Sequence, residues 1–271
     1  MRLSNSELKH LRSLTQKKVR QNEKKFLLEG WRALKEFLNS SVEADLVAVL
    51  PSYFEDPDYR KMLDAVRERK IPVKEITEKE LRSVSETVHA QGVVAVIHQR
   101  STPLSPSVLD QARMVVAADA ISDPGNLGSI IRTADWFGVD LVVLGKGCVE
   151  LYNDKVVRTT VGSLFHVRIA NDVDLAAAAV QFKNAGFRLL ALSAEGRVSY
   201  HTLNWNAKTV MVVGNEAHGV SKDVRGVVDE VVKIPREGRA ESLNVGVACG
   251  IVLAHRMVSG QGGKRTSTIK H

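Results

Sequence analysis

Short apolar runs alternate with amphipathic stretches along most of this chain, and their spacings separate strands from helices. Residues 5–14 carry a helical spacing, and the basic run 16–25 that follows reads as an exposed loop or helix. Phe26-Leu27-Leu28-Glu29-Gly30 has the length and composition of a strand, 31–38 that of a helix, and 46–50 is a β-run closed by Pro51. Residues 59–69 are helical in spacing, 73–76 extended, and 78–84 helical again. Residues 93–97, Val-Val-Ala-Val-Ile, lack any polar alternation, the pattern of a strand buried on both faces. This succession predicts an α/β unit of about 100 residues.

The rhythm breaks at 100–107, where Pro103, Pro106 and four Ser/Thr predict a linker. It then resumes. Strands are expected at 114–118, 141–144, 187–192, 210–213 and 231–234, with a short extended piece at 167–169. Helices are expected at 127–137, 154–164, 175–184 and 243–257. This order predicts a mostly parallel sheet with helices on both faces. The domain division is therefore 1–100, a linker 101–108, a second domain 109–260, and a flexible tail 261–271.

Composition adds limits. The chain has 271 residues, of which 44% are hydrophobic and 25% charged, as in a soluble globular protein with enough length for two domains. No apolar run reaches the roughly 18 residues of a membrane span, and the first residues lack the apolar core of a secretory signal. Cys148 and Cys249 form neither a disulfide framework nor a metal cluster, so a reducing, cytoplasmic setting is expected. The net charge of +7 is uneven: residues 1–25 carry +6, the tail adds +3 through Lys264, Arg265 and Lys270, and the rest carries −2. Lys17, Lys18, Arg20, Lys24 and Lys25 are the candidate contacts to a nucleic-acid backbone. A solvated helix face would have the same composition.

Three loops of the second half concentrate polar chemistry. In the first, a strand ends at Asp119, Pro124-Gly125 turns, and Asn126 stands where a helix N-cap belongs. Leu127, Ile130, Ile131, Ala134 and Phe137 form the buried stripe of the helix, and Arg132 lies off it. Helical side chains lean toward the N-terminus, so Arg132 could reach back toward Asn126 and present a guanidinium to phosphate or a developing oxyanion. It could equally pair with Asp135. In the second loop, Gly214 permits an unusual φ and close backbone approach. Glu216 could bind a ligand, hold Arg132, or cap a helix starting near Ser221; His218 is left out of the chemistry. The third loop runs from Ile234 to Asn244. There Ser242 or Asn244 would cap the last helix, and Gly246 and Gly250, one turn apart, would let that helix pack closely.

Other signatures fail. Gly145-Lys146-Gly147 follows a strand, but Glu150 stands where a dinucleotide fingerprint requires glycine, and the pair reads as a turn. A Walker A sequence, a His/Cys metal spacing and a Gly-x-Ser-x-Gly elbow are also missing from the sequence.

Taken in order, Asn126-Leu-Gly-Ser-Ile-Ile-Arg132, Gly214-Asn215-Glu216, Ile234-Pro235 and Ser242-Leu243-Asn244-Val245 resemble the SpoU (TrmH-like) branch of the SPOUT RNA methyltransferases. The resemblance covers 113–258. Residues 15–98 resemble the L30e-like substrate-binding domain often found before it, through Phe26–Gly30 and Gln91-Gly92-Val93. One departure is Ala217, where the family often has glycine. The resemblance implies a trefoil-knotted C-terminal domain, homodimers, S-adenosylmethionine as cofactor, and methyl transfer to a ribose 2′-hydroxyl of RNA, with ribosomal RNA first and transfer RNA as the alternative. It implies cofactor contacts at Gly214, Ile234 and Leu243, with Ser193 added. It assigns Arg132 to activating or stabilising the attacking oxygen. Asn126 would orient the ribose or Arg132, Glu216 would hold Arg132 and its loop, and Ser242 and Asn244 would shape the floor. A non-catalytic RNA-binding protein of the same fold is the competing reading; it would be expected to lack Asn126, Arg132 or Glu216, and all three are present.

Overall fold

The computed structural model of the protein describes residues 1–85 and 91–259; the expected flexible tail, 261–271, lies outside them. The chain forms two compact units, Met1–Ser101 with Glu150–Arg168, and Thr102–Val149 with the residues from Ile169 onward.

In the first unit, helices α1 (Asn5–Ser13) and α2 (Lys17–Glu23) precede β1 (Lys25–Glu29), α3 (Trp31–Leu38) and β2 (Ala44–Val49). Then come α4 (Pro57–Glu68), β3 (Val73–Glu75), α5 (Glu78–Arg82) and β4 (Val93–His98). The sheet order is β1-β4-β2-β3, with β4 antiparallel to both its neighbours and β2 parallel to β3. The apolar run expected to be buried is the core of β4, where Val93 to Ile97 are all buried. Basic as it is, the N-terminal stretch is not an appendage. Ser4 and Glu7 form a capping box at the start of α1. That fixes the phase of the helix so that Leu8, Leu11 and Leu14 pack with Leu27, Leu46, Val94 and Val96.

In the second unit, α6 (Pro106–Gln111) leads to β5 (Met114–Asp119), α7 (Pro124–Trp136), β6 (Leu141–Gly145) and a turn at Lys146-Gly147. The chain then contributes α8 (Asp154–Thr160) to the first unit. It returns as β7 (Ile169–Val173), α9 (Leu175–Asn184), β8 (Arg188–Leu192), β9 (Val198–Ser199), β10 (Thr209–Gly214), α10 (Lys222–Arg225), β11 (Glu230–Lys233) and α11 (Val245–Ser259). The seven strands run β7-β6-β5-β10-β8-β11-β9, and every pairing is parallel. The centres of β5, β6, β8 and β10 are apolar and buried, as strands covered on both faces require.

Three expectations change. The linker 101–108 is shorter than its composition suggests, because Pro106 sits in the first turn of α6, where its missing N–H costs nothing. Residues 150–168, assigned by order to the second domain, pack with the first unit. The helix expected at 154–164 stops at Thr160, because Val161 and Gly162 turn left-handed at φ +50° and +95°.

Candidate active site

Because the sheet is parallel, β5, β10, β8 and β11 deliver their carboxyl ends to one edge. Strand order reverses between β5 and β10: the chain moves outward from β5 through β6 to β7, then builds the other half. Such a switch point is where open α/β sheets bind ligands. Gly214, the last residue of β10, pairs with Asp119, the last of β5.

The loop after β10 is a tight reversal. Asn215 and Gly219 exchange backbone hydrogen bonds of 3.0 and 2.8 Å. A Cβ at Gly214 would stand 2.2 Å from the backbone of Gly219 and Val220. The close approach, rather than an unusual φ, is what requires glycine there. Asn215 anchors the turn. Its Oδ1 accepts from the amides of Ala217 and His218, and its Nδ2 donates to the Ala120 carbonyl at 2.8 Å.

This turn presents Glu216 to the start of α7. One carboxylate oxygen accepts from the Ser122 amide and hydroxyl, the other from the Asp123 amide and Asn126 Nδ2 at 2.9 Å. The Asn126 Oδ1 accepts from Asn244 Nδ2 at 2.8 Å. In turn Asn244 Oδ1 caps α11 by accepting from the amides of Gly246 and Val247. One chain of hydrogen bonds therefore runs Glu216–Asn126–Asn244–α11 and ties all three loops together. Burial alone would raise the Glu216 carboxyl. The Asn126 amide and the backbone N–H groups of Glu216, Ser122 and Asp123 outweigh it and hold the carboxyl below its ordinary value.

Several expected roles shift. Asp123, not Asn126, caps α7, accepting from the Asn126 amide at 2.8 Å with Pro124 at the first helical position. Asn126 is thereby freed to join two loops. Glu216 neither holds Arg132 nor caps α10. Arg132 is exposed and makes no hydrogen bond or ion pair, with Asp135 or any other group, among the described residues. It borders a shallow hollow with Thr133, Trp136, Phe137 and Gly250. Ser242 is exposed, and the cap is Asn244. Close packing of α11 holds: a Cβ on Gly246 would touch Ser129, and one on Gly250 would touch Thr133, both on α7.

Sequence reasoning gave Asn215, Asp123 and Ser122 no role. An Asp directly before a Pro that opens a helical stripe is the signal that could have found Asp123. Ser193 directly follows β8, and its amide donates to the Val232 carbonyl at 2.9 Å. Arg225 bridges the loops after β8 and β10, reaching the Val220 carbonyl, the Glu195 carboxylate and the Ser193 hydroxyl. Residues 234–244 form neither helix nor strand, and Leu243 is left 50% exposed.

Of the basic candidates in the first unit, Lys17, Lys18 and Lys24 are exposed, while Lys25 pairs with Asp45 at 2.6 Å. Arg20 is 5% exposed and spends its guanidinium on Glu150 and the carbonyls of Leu14 and Thr15. It is a core residue, not a surface contact. Among the described residues no group of His, Cys, Asp and Glu could hold a metal ion, and no helix is long and apolar enough to cross a membrane.

The SpoU rRNA Methylase family profile matches residues 113–254, and the profile of an MRM3-like substrate binding domain matches 5–95. The chain is 32% identical to the Bacillus subtilis 23S rRNA (guanosine(2553)-2′-O)-methyltransferase RlmP over 93% of this chain and 96% of that one. It is similar to the AdoMet-bound rRNA methyltransferase of Sinorhizobium meliloti, at 30% identity and a TM-score of 0.83, covering 94% of this chain and 95% of the other. The fold is also that of the SpoU methyltransferase AviRb of Streptomyces viridochromogenes, at 23% identity and a TM-score of 0.84, covering 96% and 100%.

Proposed function

On the premise that this chain belongs to the SpoU rRNA methylase family, we propose that it methylates a ribose 2′-hydroxyl of ribosomal RNA with S-adenosylmethionine. The observation that carries this reading is the hydrogen-bonded chain from Glu216 through Asn126 and Asn244 to α11. It joins all three motif loops at the carboxyl edge of the sheet.

The cofactor half of the site comprises Ser193, Gly214, Ile234 and Leu243, next to the ends of β8, β10 and β11. Its donor set fits S-adenosylmethionine. The main chain at Ile234 and Leu243, outside the strands, suits the polar edge of adenine, and the half-exposed Leu243 suits its face. S-adenosylmethionine, when bound, supplies a methyl group on a cationic sulfonium. The ribose oxygen must lose its proton as it attacks, and its growing negative charge needs donors set in advance. Arg132 provides such a donor. A guanidinium hardly deprotonates, so Arg132 acts by stabilising charge, directly or through an RNA phosphate. Asn126 and Glu216 fix the start of α7, on which Arg132 stands, and Ser242 and Asn244 line the approach.

Homodimers belong to the same reading. Trp136 at the end of α7 is 82% exposed, and Leu243 just before α11 and Val247 in its first turn are half exposed. An apolar surface of this kind is what an interface covers; the mass in sedimentation equilibrium checks it. The knotted backbone implied by the resemblance is supported by the insertion of β10 between β5 and β8, both earlier in the chain. A cytoplasmic location follows from the substrate.

The direct test maps ribose methylation in a strain lacking this protein. Loss of one 2′-O-methyl in 23S rRNA, restored by the gene, is expected. Loss in a transfer RNA would change the substrate, and an unchanged map would sink the reading.

Two further outcomes are expected. Glu216→Gln places an NH₂ group against one of two donor pairs, so roughly a tenfold or greater fall in turnover is expected, with faster amide exchange at 122–126. Unchanged turnover and exchange would refute the role. Because the Glu216 pKa is depressed, its contribution is present above the ordinary carboxylate range and is lost as pH falls through the lowered value. Replacing Lys17, Lys18 and Lys24 by alanine should weaken RNA binding and flatten its salt dependence by roughly one in slope per lysine; an unchanged slope would remove them from the RNA interface.

A further inference from the structure

Two sequence signals, Glu29-Gly30 and Gln91-Gly92, are left unused by the proposed reaction. In the first unit they meet. Gly30 follows β1 and Gly92 precedes β4, and the Gly30 amide donates to the Val93 carbonyl at 3.2 Å. Both have positive φ, +92° and +78°. The space that a side chain would take is filled at each. A Cβ on Gly30 would stand 2.2 Å from Gln91 Oε1, and one on Gly92 would stand 2.1 Å from the Tyr53 ring. Tyr53 packs against Trp31 at 5.3 Å between ring centroids and edge-on against Tyr59 at 4.9 Å; Trp31 and Tyr59 are 4.4 Å apart.

This end of the sheet holds unused hydrogen-bonding capacity. Gln91 is exposed, and its carboxamide has no partner among the described residues. Trp31 is only 7% exposed, yet its Nε1–H has no acceptor among the described residues. A buried donor left unpaired is rare, and it points to an acceptor brought from outside. Phosphate is a poor candidate, because the stretch between the two tyrosines carries Glu55, Asp56 and Asp58. What remains is a flat, uncharged group with a donor and an acceptor on its edge. Partly exposed tyrosine rings such as Tyr53 and Tyr59 stack on such a group, and a glutamine amide pairs with its edge.

The geometry points to a base-reading subsite in the first unit, in which Gln91, Tyr53, Tyr59 and Trp31 hold one unpaired nucleobase of the RNA. It rests on the RNA reading above but is separate from the methyl-transfer site. The subsite reads a base where Lys17, Lys18 and Lys24 would read charge.

The test uses the full-length protein and a 23S rRNA fragment centred on the guanosine that the Bacillus subtilis relative methylates. Gln91→Ala and Tyr53→Leu should each weaken binding roughly tenfold with the salt slope unchanged, and Tyr53→Phe, which keeps the ring, should retain affinity. Melting temperature is measured for every variant; Gln91 is exposed, so its variant keeps the test valid if Tyr53→Leu fails to fold. Wild-type affinity in folded Gln91→Ala, or a loss accompanied by a flatter salt slope, overturns the subsite. Ribose methylation of the same fragment is scored in parallel. Protein that binds through these residues without methylating counts against the proposed reaction and not against the subsite.

Discussion

Arg132→Ala is expected to lower methyl transfer by on the order of 10²–10³-fold in kcat, with S-adenosylmethionine affinity near wild type. The separation follows from position. Arg132 is in the third turn of α7, exposed and without a partner among the described residues, bordering a hollow with Thr133, Trp136, Phe137 and Gly250. The proposed cofactor residues belong to the loops after β8, β10 and β11, and none of them bonds to Arg132. Removing an exposed, unpaired side chain from a helix also costs the fold little. Calorimetric titration with the cofactor and single-turnover methylation of the RNA read the two effects apart. Wild-type turnover in the variant would sink the assignment. A large loss of cofactor affinity would move Arg132 into the cofactor half of the site. Arg132→Lys should recover only part of the activity, because an ammonium lacks the planar fork that grips an oxyanion or phosphate with two bonds.

The second large effect is on stability. Arg20→Ala should destabilise the first unit by roughly 3–5 kcal/mol, because it leaves a carboxylate buried without its counter-charge. Arg20 and Glu150 are 6% and 10% exposed at the side chain, and Arg20 also satisfies the carbonyls of Leu14 and Thr15 at the turn between α1 and α2. Four acceptor contacts are therefore abandoned by one substitution. A melting point lower by on the order of 10 °C is expected. The double variant Arg20→Met with Glu150→Leu should recover much of the loss, since apolar residues of similar volume often replace buried pairs at little cost. A melting point unchanged by Arg20→Ala would mean that Glu150 is solvated after all. The same reasoning separates the basic residues into two groups. Deleting 1–25 would remove Leu8, Leu11, Leu14 and Arg20 from the core, so RNA binding is better probed through Lys17, Lys18 and Lys24.

Much of this was legible along the chain. Apolar runs of strand length became β1, β2, β4, β5, β6, β8, β10 and β11, and the unbroken run at 93–97 became an interior strand of its sheet, because full burial leaves no polar positions. The three motif loops were found where strands stop and Gly, Asn and Glu crowd together. Their side chains were misassigned where a role depends on a partner. Asn126 looked like a cap because a cap is a local property, whereas Asp123 took the cap and Asn126 bonded to Glu216 and Asn244, 90 and 118 residues away. Arg20 looked like surface charge because its sequence neighbours are charged; its partner Glu150 lies 130 residues on.

The sequence by itself determined the elements, their order, and the inventory of reactive groups, because hydrophobic spacing and turn chemistry act over a few residues. Only the tertiary structure decided which groups meet. Inserting β10 between β5 and β8 puts Gly214 beside Asp119 and brings Glu216 to the start of α7, while the close packing of α11 on α7 brings Asn244 to Asn126. No spacing rule encodes those pairings, since they arise from burying apolar faces that lie far apart in the chain.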